Sequence, residues 1–336
     1  MTSPPALAEQ VLEGSTRAIA RTISLLEDHD PLGRQIVRTL YPRTGRASRV
    51  GVTGPPGVGK STLLSALTRV VRRAELAVGV ISVDPSSPFS EGAVLGDRLR
   101  LSEHFLDSGV FIRSMGTRGH LGGLSEAAAQ SALVLDAAGM NVVFLETVGV
   151  GQSEVEVASV VDTVVLVLMP GSGDSIQALK AGVMEIPDII VINKKDHPRA
   201  MATARDIQAF LNLSEEEDSP WAPPVLLTDA VGGEGVEELW EAIQDHGRWL
   251  SEEGRLERRR QNNVEAEVAA LAANRLQAKI KDMMRDDPRV SRLLAEVHEG
   301  RLDPFSVVEY LIASFGGPAA GGAPEFPGPP PNPNVR

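Results

Sequence analysis

Residues 54–61 read Gly-Pro-Pro-Gly-Val-Gly-Lys-Ser, the pattern Gly-x4-Gly-Lys-Ser. An apolar run, 49–53, precedes it and a helical pattern, 62–72, follows, which is the strand–loop–helix setting a phosphate-binding loop needs. Gly54, Gly57 and Gly59 let the backbone turn its N–H groups toward phosphate oxygens, with Pro55, Pro56 and Val58 completing the wrap. The following helix, opened by Thr62, adds its positive N-terminal end. Lys60 would reach the β- and γ-phosphates, and the Ser61 hydroxyl would hold Mg2+.

A second constellation is Asn193-Lys194-Lys195-Asp196, directly after the apolar run 189–192. A carboxylate at Asp196 can accept two hydrogen bonds from guanine, at N1–H and the exocyclic amine. Adenine offers neither, and a site built on such bonds discriminates by roughly 10⁴ or more. Asn193 would brace the loop and Lys194 would lie along the base. Thr228-Asp229-Ala230 is a candidate second loop at the base. GTP and GDP, with Mg2+, are thus the expected ligands.

Acidic residues at strand ends supply the metal and switch candidates. Glu146 ends the run 142–145 and would hold Mg2+ directly or through water. Gly149 could present its N–H to the γ-phosphate. Glutamate stands where aspartate is usual, and the glutamine that often follows the glycine is absent; Gln152 comes three residues later. Slow intrinsic hydrolysis is therefore expected. Asp84 ends the run 78–83 and opens Asp-Pro-Ser-Ser-Pro-Phe-Ser, and Asp97 follows in Leu-Gly-Asp-Arg. The Ser, Pro and Gly content between them predicts a mobile loop whose carboxylates could couple metal and nucleotide state to loop position. The stretch Gly171-Ser172-Gly173-Asp174-Ser175, running on toward Lys180, is a further candidate switch. His120, in a glycine-rich stretch, is not expected to bind a transition metal, because there is no Cys and there are only 6 His in the chain.

The elements that must position these residues alternate. Candidate strands are 50–53, 78–83, 110–113, 142–146, 163–169, 189–193 and 225–228. Most are continuous β-branched runs, as in a parallel sheet covered on both faces. The pattern predicts an α/β phosphate-loop NTPase domain over 46–250, with a mostly parallel sheet. Residues 1–45 read as an N-terminal extension of two helices separated at Asp30-Pro31. Residues 251–315 read as a helical arm, with one long helix over 255–284 and shorter ones near 289–299 and 304–315. The last stretch, 316–336, is mostly Gly, Pro and Ala and is expected to be disordered.

Net charge is −12 over 336 residues, which argues against a nucleic-acid partner or an anionic membrane surface. No apolar stretch is long enough to span a bilayer, and residues 1–30 lack the pattern of a signal peptide, so a cytoplasmic protein is expected. Without Cys there is no thiolate chemistry or disulfide.

Four strings, residues 84–89, 95–100, 118–123 and 146–154, together resemble the MeaB/ArgK family of GTPases, in the SIMIBI class. The likeness runs over residues 10–315. It implies a chaperone of an adenosylcobalamin-dependent acyl-CoA mutase, most often methylmalonyl-CoA mutase, that gates cofactor loading and protects the mutase. It also implies that Ser61, Asp84, Asp97 and Glu146 are Mg2+-associated, that 84–100, 146–158 and 170–180 are switch regions, and that the C-terminal helices form a homodimer. Two other readings stay open on the residues alone: a nickel-delivery GTPase, and a phosphotransferase linked to amino-acid transport.

Overall fold

The computed structural model describes residues 4–84, 101–116, 126–147, 157–171, 186–214 and 221–315. The side chain of Asp84, all of Asp97, Gly149, Gln152, Gly173, Asp174, Lys180 and His120, and the stretch 316–336 lie outside the described residues. The chain forms two compact units, Met1–Ala266 and Glu267–Arg336.

The first unit is built on seven strands: β1 (Ser48–Thr53), β2 (Val78–Asp84), β3 (Val110–Gly116), β4 (Val142–Glu146), β5 (Thr163–Leu168), β6 (Ile189–Asn193) and β7 (Val225–Thr228). Their order is β3-β2-β4-β1-β5-β6-β7, and every pairing is parallel. β4, β5 and β6 are buried at every position, which is why they read as unbroken apolar runs. The strand expected at 110–113 continues to Gly116, because β2 pairs with it as far as Asp84↔Gly116. Ser114, Met115 and Gly116 do not announce a strand by composition; the neighbour imposes it.

Alternate residues of each strand face opposite layers. On one side Val50, Phe144, Val165 and Val191 pack under α4 (Lys60–Arg73) and α7 (Val236–Ser251). On the other, Ile81 and Leu145 pack with α1 (Pro4–Leu12), α2 (Thr16–Glu27), α3 (Pro31–Leu40) and α5 (Glu126–Ala137). Leu166, Ile190 and Ile192 meet α6 (Ala200–Ser214).

The N-terminal segment therefore differs from the expectation in two ways. It holds three helices, not two: Gly14 takes φ +77° and ends α1, and Ser15 caps α2 by accepting from the Ala18 N–H. It is also not an appendage. Ile19, Ile23 and Ile36 are essentially fully buried in the same cluster as the sheet, each contributing about 2 kcal/mol of apolar burial.

The linker from α3 into β1 is held by charge. Asp136 of α5 accepts from the N–H groups of Gly45, Arg46 and Ala47 at 2.6, 3.1 and 3.0 Å. From the start of α8 (Arg255–Asp286), Arg260 donates to Ala47 O at 2.9 Å and to both oxygens of Asp162. Asp162 precedes β5 and is 95% shielded at its side chain. Burial by itself would raise its pKa; the Arg260 hydrogen bonds and the charges of Arg49 and Arg260 outweigh that and hold it below the usual carboxylate range. Next to it, Arg259 grips Asp188, the residue before β6, with two bonds of 2.8 Å.

His246 of α7 fills the space beside this pair. Its ring lies 4.8 Å from Trp221 and 5.5 Å from Trp249, centroid to centroid. Nδ1 is 2.9 Å from Thr163 Oγ1, and Nε2 is 3.3 Å from Asp188 Oδ1. Burial pushes its pKa down to about 4; Asp188 and Asp162 oppose the shift and Arg259 adds to it. The imidazole is neutral at pH 7.

The second unit, from Glu267, has its own small core. Val290, Val307 and Leu311 of α9 (Pro288–His298) and α10 (Pro304–Phe315) pack with Ile280 and Met283 of α8. α8 has no buried residue along its 32 positions, and Val268 and Leu276 are 59% and 47% exposed. α10 leaves Phe305, Val308 and Ile312, which share one helical face, at 78%, 49% and 63%.

The His246 environment predicts a pH response. Because its folded pKa lies below its unfolded value near 6.5, its contribution is present above pH 6.5 and is lost as pH falls toward 4. Between pH 7 and pH 5 the native protein should lose about 2 kcal/mol more than the His246→Asn variant in urea unfolding. Equal losses would mean that the imidazole titrates normally.

Candidate nucleotide site

β1 lies at the centre of the sheet, with β4 on one side and β5 on the other. The chain leaves β1 in one direction to build β2 and β3 and later returns to build β5, β6 and β7 on the far side. That reversal opens a crevice at the C-terminal ends of the strands. The phosphate loop, the acidic end of β4 and the base loops of β6 and β7 all lie along this edge.

The loop from Gly54 to Gly59 follows β1 directly. Gly54 has φ +138°, and a β-carbon there would meet the Val167 carbonyl oxygen at 2.0 Å. Gly59 has φ +96°, and its β-carbon would lie 2.5 Å from Asn193 Nδ2. Both positions exclude any side chain. Val58 is buried under the loop, while Pro55, Pro56 and Gly57 form its outer rim. Lys60 opens α4, and its ammonium donates to the carbonyls of Gly54 and Pro55 at 2.7 and 3.0 Å. The ammonium is thereby held over the ring of the loop. Thr62 follows in the first turn of α4, half-buried.

Ser61 and Glu146 meet beside the loop. Ser61 Oγ donates to Glu146 Oε1 at 2.6 Å, with the two residues 4% and 5% exposed. The second oxygen of Glu146 accepts from Ser82 Oγ of β2 at 2.9 Å. Thr147 turns back onto β1, its hydroxyl donating to Thr53 Oγ1 at 2.9 Å. A hydroxyl beside a carboxylate is a hard oxygen donor set, which fits Mg2+ better than a softer ion. Among the described residues no group of three or more His, Asp or Glu forms a fuller metal cage. Asp84 brings its backbone to the end of β2, opposite Gly116.

Asn193 joins the two halves of the crevice. Its Nδ2 donates to Val58 O of the phosphate loop at 2.8 Å, and its Oδ1 accepts from Thr228 Oγ1 at 3.2 Å and the Ala230 N–H at 3.1 Å. Asn193, Thr228 and Ala230 are all buried. One amide thus ties together the phosphate loop, the β6 loop and the β7 loop. Lys194 takes φ +62°, uncommon for a side-chain-bearing residue, and its Nζ reaches 3.3 Å from Met169 Sδ. Asp196 is exposed. Asp229 is engaged by its own turn, accepting from the Val231 N–H at 3.0 Å. Gly171, at the end of β5, has φ +76° and lies beside His197.

With this geometry in place, the relatives are informative. A family profile described as methylmalonyl-CoA mutase-associated GTPase MeaB matches residues 16–285. The chain belongs to the MeaB family. A Pyrococcus horikoshii protein named as a GTPase is 45% identical over 313 residues, covering 93% of this chain and 98% of its own. The GTPase ArgK of Escherichia coli is 39% identical over 276 residues, 79% of this chain and 83% of its own. A Caenorhabditis elegans protein named methylmalonic aciduria type A homolog, mitochondrial, is 30% identical over 333 residues, 93% and 82%. Among solved structures, one of a LAO/AO transport system kinase superposes with TM-score 0.68 at 29% identity, covering 93% of this chain and 97% of that one. This MeaB-family protein is a GTPase, releasing GDP and phosphate.

Several residues of the MeaB-family site escape a reading of motifs alone. Ser82 and Thr147 lie inside or beside apolar strands, and only the sheet order brings them to Glu146 and Thr53. Ser65, one turn along α4 from Ser61, is another. Its hydroxyl donates to Glu103 at 2.5 Å and lies 3.1 Å from His104 Nε2. Glu103 also accepts from Arg69, and Arg72 grips Asp107 at 2.8 and 3.0 Å. The Ser65 hydrogen bond, then Arg69, hold the Glu103 carboxyl below its usual range against the cost of burial. Polar residues at 65, 69 and 72 thus form one stripe of α4 that fastens the chain leading into β3. A hydroxyl inside a buried strand was the available signal for Ser82; nothing in the local sequence marks Ser65.

Removing the Asn193 amide should separate the three loops. Asn193→Ala is expected to weaken GDP binding by at least tenfold, since it leaves the buried Thr228 hydroxyl and Ala230 N–H without their acceptor, a loss of about 1–3 kcal/mol each. Fluorescent GDP titration measures this; wild-type affinity would remove Asn193 from the site.

Proposed function

We propose that the chain is a nucleotide-gated regulator of an adenosylcobalamin-dependent acyl-CoA mutase, of the methylmalonyl-CoA mutase kind, acting as a homodimer in the cytoplasm. The observation that carries the GTP-dependent part is the Asn193 bridge, which makes the conformation of the base loop and of the phosphate loop one property. The mutase part is supported by the description of the family and by the name of the worm relative.

Phosphoryl transfer to water asks the protein for positioning and charge stabilisation rather than covalent chemistry. The Gly54–Gly59 main chain and the N-terminal end of α4 would hold the phosphates, and Lys60 would exchange its two loop carbonyls for β- and γ-phosphate oxygens. Ser61 and Glu146, with Asp84 and Asp97, would hold Mg2+, which when bound offsets the charge of those oxygens. Loss of the γ-phosphate would release the segments 84–100, 146–158 and 170–180, with Gly149, Gln152, Gly171, Gly173, Asp174 and Lys180 within them, to change their contact with the mutase. Asp196 and Lys194 would read guanine, with Thr228, Asp229 and Ala230 closing over it. The apolar faces left by α8 and α10 are the surface offered to a second copy.

Two experiments bear on this. Asp196→Asn replaces an acceptor by an amide, so the preference should move from GTP toward xanthosine triphosphate by at least 100-fold; unchanged GTP turnover would refute base reading by Asp196. Capture from cell extract on the immobilised protein, with GDP against a non-hydrolysable GTP analogue, should retain an acyl-CoA mutase subunit in a nucleotide-dependent amount. Labelled phosphate passing to an acceptor instead of to water would favour the kinase named for the structural relative.

A further inference from the structure

Glu146 has one more side-chain torsion than an aspartate at the same place, and an unrestrained glutamate there would sample several rotamers. In this fold each of its oxygens meets a hydroxyl on a different element. Ser61 Oγ of α4 donates to Oε1 at 2.6 Å, and Ser82 Oγ of β2 donates to Oε2 at 2.9 Å. The register of β2 on β4 sets Ser82 directly opposite Glu146. Ser82 is 1% exposed, and its neighbours Ile81 and Val83 pack into the layer on the other face. Val80, two residues back on the same face, is an apolar core residue. A hydroxyl buried there is costly unless bonded, and it is bonded to the carboxylate.

We propose that Ser82 is a positioning residue for the nucleotide site: it ties Oε2 of Glu146 to β2, so that Oε1 stays turned toward Ser61 and the acid is preset for Mg2+. This rests on the reading of Glu146 as Mg2+-associated. Ser82 acts through Glu146, by spending one of two carboxylate oxygens on the sheet and removing the freedom that the longer side chain brings.

The test uses the full chain and N-methylanthraniloyl-GDP, with Mg2+ titrated into the complex and the affinity in EDTA as reference. Ser82→Ala should raise the Mg2+ concentration at half effect about tenfold, as expected for one lost hydrogen bond to a charged group, while the EDTA affinity stays at the wild-type value. Ser82→Thr, which keeps the hydroxyl, should return the Mg2+ requirement toward wild type. Glu146→Gln is measured alongside. If Glu146→Gln raises the requirement and Ser82→Ala does not, the role of Ser82 is overturned and the metal reading stands. If neither moves it, both fall. If Ser82→Ala weakens the nucleotide equally in EDTA, the serine is scaffold and positioning is overturned.

Discussion

A β-carbon on residue 54 would lie 2.0 Å from the carbonyl oxygen of Val167. That single close approach governs the site. The chain leaving β1 must pass hard against β5 before it can curl into a phosphate-binding ring, and only glycine can make the passage. The rest of the crevice is arranged around the resulting loop. Lys60 is folded over it, Ser61 and Glu146 meet beside it, and Asn193 reaches it from β6.

The two ends of the sheet do different work with the same chemistry. At the C-terminal edge, the buried polar groups among the described residues include hydroxyls, the Asn193 amide, the Glu146 carboxylate and the Lys60 ammonium. At the N-terminal edge, Asp162 and Asp188 are paired with Arg260 and Arg259 at the root of α8. Breaking a buried pair by removing one partner is costly, typically about 3–5 kcal/mol, so these two pairs fix the root of α8 to the strands. The same arginine that holds Asp162 also bonds the linker of residues 45–47, so the N-terminal helices, the sheet and the start of α8 share one anchor.

The second unit follows a different rule. Its core is small, Val290, Val307 and Leu311 at the centre, and much of its apolar surface faces outward. No position of the 32-residue α8 is buried, and Ile280 and Met283 are its partly buried contributions to this core.

Strand by strand, the parallel elements were most legible where they are buried at every position, in β4, β5 and β6, which carry unbroken apolar runs. The phosphate loop and the β6 loop were legible for a similar reason: glycine, lysine, serine and aspartate at fixed spacing are needed locally, whatever surrounds them. Where pairing or packing decides, the local residues were silent. Gly116 is strand because β2 extends beside it, and α1 and α2 part at Gly14 because a left-handed residue fits there. Ser82 faces Glu146 only because β2 lies between β3 and β4. The chain by itself determined the phosphate loop and the Asn193–Asp196 loop, since the residues of each sit next to one another along it. Only the tertiary structure decided what holds them in place. Register and sheet order join residues as far apart as Ser61, Ser82 and Glu146, and hydrogen bonds of that range have no counterpart in sequence spacing.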